Sequence, residues 1–339
     1  MTALPLHRLV LSLAFVLALA AGRARAADVP AEAIERGLGW LARSQRDDGS
    51  IGDIDQRTAT TALALLAFLS NGHTPDVGRH GLAVRRALDF LVAAVPPGGY
   101  VGSTDGSRMY GQGIVTLALL EAMGVEPDPA RRARQRDAAE RMVAVLLRAQ
   151  AVAKTPEHAG GWRYEPDAID SDLSLSGWCL LSLRAAKNAG IGVPVEAVQR
   201  ARAYVLRSFH PRQQGFAYTT GIDATASMTG VAVLALHLLD GASLDETRAG
   251  ERFLFENPVT LETRYPHYAA YYATQAAYQA GGSTWAAVWA NTRRLLLPLQ
   301  QDDGGWPAGG ADEPGRVYTT SLAILSLSVP NQLLPTYQR

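Results

Sequence analysis

One short phrase recurs along this chain and constrains its fold more than any other feature: a glutamine, acids, a glycine, then an apolar or aromatic residue. It reads Gln45-Arg46-Asp47-Asp48-Gly49-Ser50-Ile51 near the start and Gln300-Gln301-Asp302-Asp303-Gly304-Gly305-Trp306 near the end. Shorter versions lie between, as Gly98-Gly99-Tyr100, Gly160-Gly161-Trp162 and Gly215-Phe216. Glycines 49, 99, 161, 215 and 305 are 50, 62, 54 and 90 residues apart, and the last gap reads as two periods with a degenerate loop around 257–266. Six units are therefore expected. A period of this length marks an array in which each unit buries its apolar face against its neighbours.

Between the loops two kinds of helix alternate. Segments 31–44, 82–95, 130–149, 195–208, 244–255 and 284–297 place apolar residues three and four apart, as Ile34, Leu38 and Leu41 do, with charges opposite. Segments 58–69, 112–123, 172–186, 225–239, 269–279 and 318–327 are rich in Ala, Leu, Ser and Thr and nearly free of charge, which suits burial on most sides. The pattern predicts an all-α fold, an α6/α6 toroid of two concentric rings of six helices with the apolar set inside. Each glycine loop then leads from an outer helix into an inner one, so all inner N-termini face one mouth, each adding about half a positive charge. Asp55, Asp105, Asp170, Asp172, Asp223, Glu262 and Asp312 fall near those starts, and Arg57, Arg108, Arg163, Arg212, Arg264 and Arg316 recur about once per unit.

The first 26 residues read as a signal peptide rather than as part of the fold. Arg8 precedes the apolar run 9–21, and Ala24-Arg25-Ala26 offers the small residues a signal peptidase reads. The expected product is a single domain of residues 27–339, periplasmic or secreted, with no later stretch apolar enough to span a bilayer. Lys and Arg number 32 and Asp and Glu 32, and the leader removes three arginines. That balance gives no electrostatic footprint for nucleic acid. Cys179 is the only cysteine, so no internal disulfide is available.

These residues resemble the terpenoid cyclase and protein prenyltransferase superfamily, whose toroids carry prenyltransferase/squalene-oxidase repeats. Arg36-Gly37, Leu41, Gln45 and Gly49 match the repeat, with Ile51 in place of its tryptophan, and Gln301, Gly304 and Trp306 match its closing part. The resemblance implies that glutamine and tryptophan tie one outer helix to the next, a structural role that leaves activity open.

The resemblance also implies places to look for chemistry. Class II terpene cyclases protonate an alkene with the second aspartate of a D-x-D-D motif. Asp170-Ser171-Asp172-Leu173 keeps that acid, Asp172, with Asp170 as its support, but ends in leucine. The competing reading is that Asp170 or Asp172 caps the helix that follows. Prenyltransferase β subunits hold zinc with Asp-x-Cys and a later histidine. Here the positions read Asp223-Ala224-Thr225 and His267, too few ligands for a catalytic zinc, so no metal or other cofactor is expected. Complement-type thioester toroids need Cys-Gly-Glu-Gln, which Cys179-Leu180-Leu181-Ser182 excludes. Toroid glycosidases use paired carboxylates and aromatic subsites, for which Asp170 or Asp172 with another loop acid would serve.

Tyr268, Tyr271, Gln275 and Tyr278 fall three or four apart on one helix face. With His267 and Asp223 nearby in the pattern, that face is the expected cavity lining for an apolar, polyprenyl or peptide ligand, or else outer-ring packing. The reading that follows is an exported binding or scaffold module. The alternatives are a cyclase using Asp172 as general acid and a carbohydrate-active toroid.

Overall fold

A computed structural model describes residues 30–52, 55–309 and 313–338. The expected leader and Asp312 lie outside the described residues. Among the described residues twelve α-helices run in order: α1 (Ala31–Arg43), α2 (Arg57–Leu69), α3 (Gly81–Ala94), α4 (Arg108–Met123), α5 (Pro129–Ala151), α6 (Leu173–Asn188), α7 (Val195–Arg207), α8 (Ala226–Leu238), α9 (Asp245–Glu256), α10 (Pro266–Ala280), α11 (Gly282–Leu296) and α12 (Gly315–Leu327). A two-residue hairpin, Phe209–His210 with Gly215–Phe216, is the only sheet among the described residues. No helix among them is long and apolar enough to cross a membrane.

The even-numbered helices form the inner ring. Each packs on the next, and α12 packs back on α2, so the ring closes. Their sequences allow it because small residues let backbones approach. A Cβ added at Gly113 would meet Trp178 at 2.9 Å, and one at Gly230 would meet the backbone of Tyr272 and Ala273 at 2.8 Å. The starts of neighbouring inner helices are also stitched together. The N–H of Gln56 donates to the carbonyl of Asp105, that of Met109 to Tyr164, and that of Leu173 to Tyr218, at 2.9–3.0 Å. The shared mouth expected from the loops is therefore real.

The repeat glutamines tie the outer ring. Gln45 Nε2 donates to the carbonyls of its own Gly49 (3.0 Å) and of Ala83 on α3 (2.9 Å). Gln150 does the same to Gly160 and to Ala197 on α7, both at 2.9 Å. Gln300 reaches Gly304 (2.8 Å) and Ala33 on α1 (2.7 Å), joining the last unit to the first. In the second unit, which lacks an outer glutamine, Gln112 reaches out from the inner helix to Gly99 and Met142.

Two register assignments need correction. The tying residue of the last unit is Gln300, not Gln301, whose side chain is exposed. The third loop's equivalent of Gly49 is Gly160 (φ 90°), not Gly161. Gly49, Gly99, Gly160 and Gly304 all have positive φ, and a Cβ on any of them would lie 2.3–2.5 Å from a carbonyl oxygen of the next outer helix, at Arg86, Arg141, Arg200 and Arg36. Only glycine satisfies both demands. The residue two places on is buried, and its N–H is taken by an inner-helix side chain: Ile51 by Thr61, Trp162 by Ser176, Trp306 by Thr320.

The end opposite the mouth is stoppered by the chain itself. After α12, residues 329–338 pass under the inner ring in two 3-10 turns, Val329–Asn331 and Pro335–Tyr337. Tyr337 is buried, with its hydroxyl 2.6 Å from that of Tyr271 and its carbonyl accepting from Gln279 at 2.7 Å. Both the N–H and the hydroxyl of Thr336 donate to Glu121.

Candidate functional site

The mouth collects its side chains from the first turns of the inner helices and the loops just before them. Tyr110 comes from α4, Arg163 and Tyr164 from the loop into α6, Asp172 and Ser174 from the start of α6, Tyr218 from the loop into α8, His267 and Tyr268 from α10, and Glu313 and Tyr318 from the entry to α12. Tyr110, Tyr164, Tyr218, Tyr265 and Tyr318 are half-buried, which leaves part of each at the opening. Gln56, Arg108 and Tyr265 enter their helices with φ of 54–59°, a left-handed conformation that costs on the order of 1 kcal/mol or more for a non-glycine residue. Three of the six inner helices therefore start from a strained residue.

Arg163 organises one side. Its Nη1 donates to Asp172 Oδ2 at 2.8 Å and to the Tyr218 hydroxyl at 2.6 Å, and its Nε lies 3.1 Å from Asp170. The guanidinium also sits 4.4 Å above the Tyr164 ring. Asp172 is fully buried, and its other oxygen accepts the Leu175 N–H at 2.8 Å, capping α6. Burial pushes the Asp172 carboxyl above the ordinary aspartate value, while the Leu175 N–H and the Arg163 guanidinium pull it down. Both oxygens of Asp172 are thus occupied, and the Leu175 N–H and Arg163 together favour its anion against burial. Asp170 is about half exposed on the outer side of the same arginine.

A hydroxyl relay crosses the lumen. Tyr110 bonds Ser174 at 2.8 Å, and Ser174 bonds Tyr268 at 3.1 Å. Because α6 and α10 are separated in the ring by α8, that contact spans the interior. Deeper in, Trp178 of α6 stacks on Tyr271 of α10 with ring centres 5.7 Å apart, and Tyr272 packs edge-on to both. Burial drives the Tyr268 and Tyr272 hydroxyls well above the usual tyrosine range, so both are neutral.

The four side chains expected to share one cavity face are not gathered there. Tyr268 faces the relay, Tyr271 is bonded to the tail's Tyr337, Gln275 is buried with its carbonyl oxygen unpartnered, and Tyr278 packs on Trp285 of the outer ring. The helix is long enough that one face meets the mouth, the lumen, the stopper and the outer ring in turn. Asp223 and His267 also go separate ways. Asp223 is exposed and accepts from Gln213 at 2.9 Å, and Thr225 caps α8 through Met228. His267 is buried, with Nδ1 2.7 Å from Glu313, which also accepts its backbone N–H, and its Nε2 has no partner. Cys179 is buried mid-helix, and burial pushes its thiol up, away from thiolate chemistry.

Sequence reasoning missed Glu313, Tyr218 and Tyr110. Glu313 had a signal in its place beside Asp312, and the tyrosines in their positions within a few residues of inner-helix starts. The loop arginines serve mainly within the protein: Arg57 pairs with Asp48, Arg108 with Glu165 and Arg316 with Asp303. The clefts that open elsewhere are on the outside. One, about 320 Å³, is lined by Leu254, Phe255, Pro258, Val259 and Val288 between α9 and α11.

The fold is an α/α toroid, an architecture shared by solved structures of terpene cyclases, glycosidases and protein prenyltransferases. Over 90% of its length the chain is similar to the type II terpene cyclase MstE from Scytonema, at 14% identity and a TM-score of 0.61, covering 98% of that chain. A glycosidase in complex with glucose matches at the same identity and TM-score, with 90% of this chain and 97% of that one covered. Candida albicans protein geranylgeranyltransferase-I complexed with GGPP matches at 13% identity and a TM-score of 0.55, over 87% of this chain and 90% of that one. No protein-family model and no curated protein sequence matches. At these identities the likeness carries the fold and leaves function to the site.

Proposed function

We propose that the protein is an exported binding or scaffold module that presents the tyrosine-lined mouth to an apolar or amphiphilic ligand. The observation that carries this reading is the state of the lumen. Trp178, Tyr271, Tyr272 and Tyr337 fill it, each at most 1% exposed, so a long polyprenyl chain has no room along the axis. The half-buried tyrosine faces and the Arg163 edge at the opening are what remain to bind, and such surfaces suit an isoprenoid end or another apolar group. The engagement of Asp172 with Leu175 and Arg163 supports a capping role over that of an alkene-protonating acid, which must carry its proton free of a cation. Export rests on the leader, with cleavage after Ala26 and a periplasmic or secreted product.

Titration of the mature chain with geranylgeraniol, followed by intrinsic fluorescence, tests this. Saturable binding weakened in Tyr164→Ala and Tyr218→Ala is expected. Saturation unaffected by both changes, or none at all, rejects the mouth as the site.

A second reading has one observation in its favour. The buried His267–Glu313 pair leaves Nε2 unpartnered beside the mouth, the arrangement of a histidine oriented by a carboxylate for proton transfer. Under that reading His267→Gln abolishes turnover of whatever substrate the mouth admits while ligand binding persists.

A further inference from the structure

At the end of the barrel away from the mouth, the loop from α2 to α3 folds two histidines against α1. His73 and His80 are both 8% exposed, with ring centres 4.9 Å apart, and both rest on Phe68. Such burial is ordinary for a histidine that has found partners, but these have not. Neither ring nitrogen of His73 is hydrogen-bonded, and neither is Nε2 of His80. A buried polar nitrogen without a partner costs about 1–3 kcal/mol. Glu35, on the exposed side of α1, brings a carboxylate oxygen to 3.9 Å from His73 Nε2.

One donor atom from each of Glu35, His73 and His80 lies within 4.8 Å of the other two. This is the only such set of three among the described residues. We propose that Glu35, His73 and His80 form a divalent transition-metal site, best suited to Zn²⁺, that clamps the first outer helix to the α2–α3 loop.

The donor chemistry fits zinc. Two imidazoles and a carboxylate are ligands that Zn²⁺ takes in four-coordinate sites, with a fourth position left to water. Zinc–nitrogen bonds of about 2.0–2.1 Å place tetrahedral donors about 3.3 Å apart. The observed separations therefore close with side-chain rotation. The loop fixes one ring firmly: Thr74 and Val77 pair in a tight turn, and Gly78, at φ 82°, lies so close that a Cβ there would stand 2.6 Å from His73 Nδ1.

Charge around the site is mixed. Burial lowers the pKa of both histidines, helped by His73 at His80 and by Arg79 at each, and opposed by Glu35. The other acid of the loop, Asp76, is engaged by Arg85 and Arg131 and takes no part.

Calorimetric titration of chelator-stripped mature chain with Zn²⁺ is expected to give one equivalent per chain and a higher melting temperature. Second-shell changes at metal sites cost about 10–100-fold in affinity, so loss of a ligand in His73→Gln or His80→Gln is expected to cost about 100-fold or more. Glu35→Gln alters an exposed residue and keeps the fold, so its weaker binding is read without ambiguity from unfolding. Co²⁺ is expected to give the visible absorption of a four-coordinate site, lost in the same variants. His267→Ala is expected to bind zinc as the wild type does. No saturable binding by the wild type, or binding indifferent to all three ligand changes, overturns the site. Loss in His267→Ala alone moves the metal to the prenyltransferase position.

Discussion

The two ends of the inner ring each bury a carboxylate, and burial raises the pKa of both, but they partner it differently. At the mouth Asp172 is surrounded by donors: a helix N-terminus, a guanidinium and the Tyr218 hydroxyl beside it. At the stoppered end Glu121 meets only the N–H and hydroxyl of Thr336, and its second oxygen has no partner. Burial accordingly pushes the Glu121 carboxyl up to about 7, against those two hydrogen bonds. The mouth surrounds its carboxylate with donors, while the other end leaves one oxygen of its carboxylate unpartnered beneath the tail. The chain itself occupies one end of the ring, and the mouth is the other.

The largest effect is expected at the stopper. Tyr337→Ala empties a fully buried site and leaves the Tyr271 hydroxyl unpaired, which costs about 3–5 kcal/mol in chemical denaturation. Tyr337→Phe loses only the hydrogen bond and costs about 1 kcal/mol. If both cost the same, the tail is not a packed element and the asymmetry between the ends disappears.

That tail was also the least legible part of the fold. The rings could be read from the chain because helical period, glycine loops and tying glutamines are local signals that repeat. Helix boundaries such as 195–208 fell within a residue of the structure for the same reason. Residues 329–338 have no period, and their burial depends on partners such as Glu121, 215 residues away in sequence. The mouth shows the same division. The Asp172 cap follows from its place before α6, but the Ser174–Tyr268 and His267–Glu313 contacts join residues 94 and 46 apart, which no local pattern encodes. The face of α10 misled because its even spacing says which residues share a side and not what each meets along the axis.

The mouth carboxylate gives the next largest effect. Arg163→Met removes the cation beside a buried anion, for which losses of about 3–5 kcal/mol are typical, and partial exposure of Arg163 sets the lower end as the expectation. Without the arginine the Asp172 pKa rises further, so the folded state binds its proton more tightly than the unfolded chain. The deficit should then shrink as pH is lowered from 8 to 5, read from urea midpoints. A deficit independent of pH would mean that Asp172 was never held as an anion.

Glu121 should dominate the pH response of the other end. Its folded value lies above the ordinary glutamic-acid value, so its contribution to stability is full below about pH 4.5 and is lost as pH rises through about 7. The change is about 3 kcal/mol at most over that window. Glu121→Gln should flatten the profile and slow hydrogen exchange in residues 333–338 at pH 8. An unchanged profile would place the titrating group elsewhere.

The smallest effect separates cap from acid. Asp172→Asn keeps an acceptor for Leu175 and should melt near the wild type, while Asp172→Ala should lose about 1 kcal/mol with the cap. Product analysis with squalene and shorter polyprenyls is expected to find no cyclised material with the wild type or either variant. Wild-type turnover that vanishes in Asp172→Asn at unchanged stability would make the mouth a cyclase centre.

The Gln300 tie to Ala33 joins residues 267 apart and makes the last unit the neighbour of the first. An open array can terminate in a polar capping repeat and mature unit by unit as it is synthesised. A closed ring has no such terminus, so its earliest helices keep an unsatisfied flank until the final repeat arrives. Stability should therefore appear late and all at once, with little native structure in any truncated form. A seam that only the last repeat can close keeps the polypeptide pliable for as long as it is being made.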